Sequence, residues 1–147
     1  MSSVPAFWDA SAIVLLCLAQ RDAAVAKRVF RQMPQLVVWW GTPIEATSAF
    51  ERVRRERTAP SVECNRALSR LAGLSRTWIE VQPVEPVREL ARELLGNHPL
   101  RTGDALQLAA SIVWTRGRTR NRVFVTFDER PGRVAATLGF AVRPTPL

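Results

Sequence analysis

The sequence predicts an α/β domain on a mainly parallel central sheet, and three observations carry that prediction. Short runs rich in β-branched and aromatic residues alternate with longer helical segments. The gaps between the main strand candidates hold a helix or a pair of helices, as parallel crossovers require. Stop signals, among them Gly41, Pro60 and Gly96, fall at the segment boundaries.

In order, Val4 to Trp8 (VPAFW) is a first strand, with Pro5 tolerable only near its beginning. Ser11 to Ala19 is a compact apolar helix, and a second helix covers about Asp22 to Met33. Leu36 to Trp40 (LVVWW) is a buried-strand candidate stopped by Gly41. Helices follow at about 43–57 and 61–75, separated by Ala59 and Pro60. Trp78 to Val81 is a weak third strand, and Val84 to Leu95 a helix closed by Gly96. Thr102 to Trp114 is so apolar (DALQLAASIVW) that it must be largely buried. Arg122 to Thr126 is the fourth strand, Gly132 to Leu138 a helix, and Ala141 to Arg143 a last short strand.

A length of 147 residues fits one domain over 1–147. With 47% apolar and 23% charged residues and no linker-like run, disorder is expected only at the two ends. No apolar stretch reaches the ~20 residues that span a bilayer, and Met1 to Pro5 lacks the basic region of a secretory signal, so a cytoplasmic protein is expected. Cys17 and Cys64 lack metal-ligand spacing and read as reduced thiols.

The net charge of +8 favours an anionic partner, nucleic acid first and an acidic protein second. Arginine supplies every basic residue but Lys27, a bias that also fits a GC-rich genome.

Against this basic background the acids are scarce and ordered. Asp9 ends the first strand, Glu45 and Asp104 open helices, and Asp128 follows the fourth strand. Ligand crevices of parallel sheets lie beyond the carboxyl ends of the strands, so Asp9 and Asp128 share a crevice if their strands are neighbours. Each acid also has a capping role to play. Thr42-Pro43-Ile44-Glu45 reads as a capping box, and Asp9, Asp104 and Asp128 suit helix N-termini. Capping and metal binding are compatible, because helix starts that point into one crevice aim their carboxylates there. Such a cluster suits Mg²⁺ or Mn²⁺, which take oxygen ligands, and a cation relieves the mutual repulsion. Ser11 and Thr126 flank the acids and can bond a carboxylate or turn the chain.

Four segments in this order, FWDASAIV, TPIEATSAF, LRTGDALQLAAS and VFVTFDERPGRVAATLGFAV, resemble the PIN-domain ribonucleases and, among them, the VapC-type toxins of toxin–antitoxin pairs. They span nearly the whole chain, from Ala6 to Val142. The resemblance implies a PIN-like α/β/α sandwich with a five-stranded sheet. It also implies Mg²⁺ or Mn²⁺ held by Asp9, Glu45, Asp104 and Asp128, with auxiliary hydroxyls at Ser11 and Thr126. A homodimer and a small VapB-like antitoxin that covers the site are further implications.

The reaction expected is metal-assisted hydrolysis of an RNA phosphodiester, with Glu45 either binding metal or orienting water. No rival apparatus competes. His98 is the only histidine, there is no Gly-rich phosphate loop, and Asp9-Ala10-Ser11 lacks the second Asp of aspartate-based phosphatases. Arg116, Arg118 and Arg120, in a Gly/Thr/Asn-containing loop, are candidate contacts to the RNA backbone, or else a solvated surface. The helical cluster Arg52, Arg54, Arg55 and Arg57 reads as a solvated face paired with Glu51 and Glu56. Trp8 and Trp39 read as core, and Trp40 and Trp114 as more open. Two other readings stand beside the ribonuclease: a catalytically weak domain that binds RNA or antitoxin, and a metal-dependent DNA nuclease.

Overall fold

The three inner strand segments, AFW, LVVW and VFV, are apolar on both faces because helices cover both faces. A computed structural model describes residues 4–145, and the expectation of disorder at the extreme ends falls mainly outside them. The chain runs β1 (Ala6–Trp8), α1 (Ala10–Cys17), α2 (Ala23–Gln32), β2 (Leu36–Trp39), α3 (Thr42–Glu56), α4 (Ser61–Ser75) and β3 (Ile79–Val81). It continues through α5 (Glu85–Asn97), α6 (Thr102–Thr115), β4 (Val123–Val125), α7 (Glu129–Thr137) and β5 (Ala141–Arg143). The sheet has five strands in the order β3-β2-β1-β4-β5, with every pairing parallel.

Strand alternation sorts the core into two layers. Ala6, Trp8, Leu36, Val38 and Val125 face one side, where they meet α1 to α4 through residues such as Ile13, Phe50 and Leu71. Phe7, Val37, Trp39 and Phe124 face the other, against Val87, Leu108 and Val134 of α5, α6 and α7. Phe124 stacks on Phe7 at 5.4 Å between ring centroids and meets Phe140 at 5.7 Å. This is the three-layer α/β/α arrangement that the sequence resemblance implied.

Several boundaries differ from expectation for identifiable reasons. α5 does not stop at Gly96 but runs through it to Asn97, and the chain turns extended at His98 (φ −140°). α7 starts at Glu129, three residues before the expected Gly132, with Asp128 as its N-cap. Pro131 is compatible with that early start, since a first-turn residue needs no amide hydrogen. α3 has Gly41 at its N-cap, so Thr42 is already inside the helix and the expected Thr42–Glu45 capping box does not form.

Trp8 and Trp39 are core residues, while Trp40 is 45% exposed. Trp114 is half-buried, with the Arg122 guanidinium 5.2 Å above its ring. In the α3 cluster Arg54 pairs with Glu51 at 3.1 Å and also reaches Asn65 of α4 at 2.9 Å, so it ties two helices together. Cys17 and Cys64 are buried and free, and burial pushes the Cys17 thiol up to about 12. Among the described residues no helix is long and apolar enough to cross a membrane.

Phe124 of β4 is fully buried, with its ring between those of Phe7 and Phe140. Phe124→Ala should therefore cost ~3–5 kcal/mol of unfolding free energy. A urea titration checks this, and a loss below ~1 kcal/mol would contradict the stacking described.

Candidate active site

The strand order reverses between β1 and β4, because the chain leaves β1 toward β2 and β3 and returns to β1's other side at β4. A crevice opens at such a switch point, beyond the carboxyl ends of the strands. The Asp9 backbone N–H bonds Val125 O at 3.1 Å, which sets Asp9 beside the end of β4. The two strands whose ends carry Asp9 and Asp128 are thus adjacent.

Asp9 is both strand terminus and N-cap of α1: its Oδ1 accepts from Ala12 N at 3.1 Å and from Ser11 Oγ at 2.6 Å. Ser11 Oγ in turn accepts from Phe127 N at 2.9 Å and stands 3.3 Å from Thr126 Oγ1. Thr126 Oγ1 accepts from Asp128 N at 3.1 Å. The two hydroxyls therefore form a continuous chain from Asp9 to Asp128 and clamp the ends of β1 and β4 together. Asp128 caps α7 through Arg130 N at 3.3 Å, and Asp104 takes Arg101 N at 3.3 Å at the start of α6.

Glu45 is held differently. One turn into α3, its Oε1 accepts from Gln107 Nε2 at 3.0 Å, and the same amide nitrogen donates to buried Thr42 Oγ1 at 3.1 Å. Gly103, one helical turn before Gln107, leaves room for Glu45, whose Oε2 would sit 3.3 Å from a Cβ at that position. Gln107 thereby links the two helical layers around the edge of the sheet. Sequence reasoning missed it, although a lone amide inside the apolar run of α6 was the available signal.

The acids act on one another electrostatically. Burial pushes Asp9 up to about 6; the hydroxyls of Ser11 and Thr126 and the Ala12 N–H oppose the rise, and the charge of Asp128 adds to it. Burial also pushes Glu45 up to about 7, opposed by Gln107 and reinforced by Asp9 and Asp104. Asp104 is raised, by burial first and then by Asp128, against the Arg101 N–H and the charges of Arg101 and Arg130. Yet among the described residues no three acidic, histidine or cysteine side chains form a ready-made metal cage. The two facts describe one arrangement, in which each carboxylate is held by its own cap or amide while remaining within the others' field. An all-oxygen set of this kind suits a hard cation that keeps part of its water shell. Gln107 Oε1 adds a buried acceptor without a protein partner next to Glu45.

Asp104 and Asp128 line a cleft of about 500 Å³ together with Glu129, Arg101, Arg130 and Arg133. The three arginines were not singled out from the sequence, because each lies apart from the visible arginine clusters. Arg116, Arg118 and Arg120 lie elsewhere. They follow the far end of α6, about 20 Å of helix away from Asp104. Thr119 Oγ1 bonds Leu138 O at 2.6 Å, which ties their loop to the end of α7 opposite Asp128.

The sequence matches no protein-family model and no curated protein. The fold is similar to that of VapC20 from Mycobacterium tuberculosis, a toxin that cleaves the sarcin–ricin loop, with a TM-score of 0.68 and 19% identity over 94% of this chain and 97% of that one. It is also similar to a chain of a toxin–antitoxin complex from Klebsiella pneumoniae, with a TM-score of 0.55 and 19% identity over 86% of this chain and 88% of that one. At such identity the likeness is one of fold, and the fold is PIN-like.

Three outcomes follow from the raised carboxyls. Because Asp9 and Glu45 have folded-state values above their ordinary 3.8 and 4.5, their contribution to stability is full below about pH 4. It is lost as pH rises through about 6 and about 7, so these groups should lower the melting temperature of metal-free protein at pH 8 relative to pH 5. Mn²⁺ or Mg²⁺ should raise the melting temperature more at pH 8 than at pH 5, and equal shifts would contradict cation binding by these groups. Gln107→Leu removes the amide that favours charged Glu45 and should cost ~1–3 kcal/mol at pH 8 but less at pH 5. Denaturant titrations at both pH values check the difference.

Proposed function

We propose that the chain is a single PIN-like domain acting as a metal-dependent endoribonuclease, the VapC-type toxin of a type II toxin–antitoxin pair. The observation that carries this reading is the convergence of Asp9, Glu45, Asp104 and Asp128 on the carboxyl edge of the sheet, where burial and mutual charge raise three of them. The fold's likeness to a toxin that cleaves the sarcin–ricin loop supports RNA as the substrate. Its likeness to a chain of a toxin–antitoxin complex supports a cognate VapB-like antitoxin. A homodimer, and action in the cytoplasm where RNA and antitoxin are made, complete the proposal.

In this mechanism Asp9, Asp104 and Asp128, with Glu45 either joining them or orienting water, would hold Mg²⁺ or Mn²⁺, which would supply charge stabilisation at phosphate and activate water. Everything else falls to the chain. Arg101, Arg130 and Arg133 bind the RNA phosphates across the cleft they share with Asp104 and Asp128. Ser11 and Thr126 fix the rotamer of Asp9 and the backbone of Asp128. Gln107 orients Glu45 through the bond from its amide nitrogen to Oε1.

Purified protein with a mixed RNA pool should cut in Mg²⁺ or Mn²⁺ and not in EDTA. Asp9→Asn and Asp104→Asn should each reduce cutting by about 10²-fold or more, while both variants stay folded and still bind RNA. Binding without cutting by the unsubstituted chain would favour a catalytically weak binding domain. Equal cutting of matched deoxyribo-oligonucleotides would favour a DNA nuclease.

A further inference from the structure

Asp128, Glu129 and Arg133 form a wall between two clefts. On one side lies the arginine-lined cleft with Asp104; on the other lies a trough of about 570 Å³. The trough is bounded by Thr126 and Phe127, by Gly132 and Ala136 of α7, and by Val142 and Pro144 at the edge strand β5. Its lining is mainly carbon. Gly132 and Ala136 are one turn apart and leave the face of α7 low, and a Cβ at Gly132 would come within 3.3 Å of the Thr126 methyl. Polar groups gather at the rim, where Arg133 pairs with Glu129 at 2.6 Å and both side chains are largely exposed.

We infer that this trough is a nucleobase subsite, which holds the base of the nucleotide next to the scissile phosphate. The inference rests on the ribonuclease reading and extends it to a source of cleavage-site preference. Geometry is the first reason. A nucleotide's phosphate and base are separated by one sugar, and here a cationic cleft and an apolar trough are separated by one turn of backbone. Chemistry is the second. A base offers flat apolar faces and polar edges, matching carbon walls from Phe127, Val142 and Pro144 beneath a rim with a guanidinium and a carboxylate.

The test maps cut ends from a random RNA pool for wild type and for Ala136→Phe, which fills the trough from an exposed helical position. Ala136→Leu serves as a second, smaller filling variant, and melting curves verify that both fold. Wild type should show nucleotide bias concentrated at one position beside the cut. In the filled variants that bias should collapse, with residual cutting spread over other sequences and an overall rate lower by about tenfold. An abasic residue at the biased position should slow wild type by a similar factor and leave Ala136→Phe nearly unaffected.

Bias that survives in both filled variants, or equal cutting of abasic and intact RNA by wild type, overturns the subsite and leaves the trough to a protein side chain, with the ribonuclease reading intact. Absence of RNA cutting by folded wild type in Mg²⁺ and Mn²⁺ removes the ribonuclease reading and the subsite together.

Discussion

The constraint on which the rest of the site depends is the gathering of like charge at one edge of the sheet. Carboxylates brought together and partly dehydrated repel one another, and the fold meets that cost with helix starts. Asp9, Asp104 and Asp128 each accept a backbone N–H at a helix N-terminus. Glu45, which lacks such a cap, receives a side-chain amide from Gln107. These donors offset burial and repulsion only in part, and the raised values of Asp9, Glu45 and Asp104 express what is left over, burial first and the neighbouring charges second. In the metal-dependent reading proposed above, the same imbalance would favour the uptake of a cation.

The scaffold was legible because its code is local. Short β-branched runs separated by helical stretches leave few alternatives to a parallel sheet covered on both sides, and the acids stood at element ends where that sheet would place them. Capping roles and metal-facing roles were both anticipated for Asp9, Asp104 and Asp128, and the structure shows the caps directly. Glu45 misled because Thr-Pro-Ile-Glu has the spacing of a capping box, while α3 begins one residue earlier at the expense of that box.

What stayed hidden is what depends on distant parts of the chain. Gln107 meets Thr42 and Glu45 across more than 60 positions of sequence. Arg101, Arg130 and Arg133 become neighbours only once α6 and α7 bring their N-terminal ends to one cleft. The arginine-rich loop after α6 drew attention by density alone, yet the helix before it carries that loop to the opposite pole. Clustering along the chain is a poor guide to clustering in space when a helix of 14 residues intervenes.

Because Asp9 and Asp128 serve as helix caps, folding and the proposed chemistry fall to the same side-chain oxygens, but not equally. Capping needs only a short side chain with an acceptor, so Asn or Ser satisfies it nearly as well as Asp. Holding a cation needs the negative charge. A lineage that drifted to neutral residues at these positions would therefore lose its chemistry long before it lost its shape. On that reading the fold would outlive the proposed activity, and a silenced descendant would persist as a stable body still able to engage whatever binds its surface.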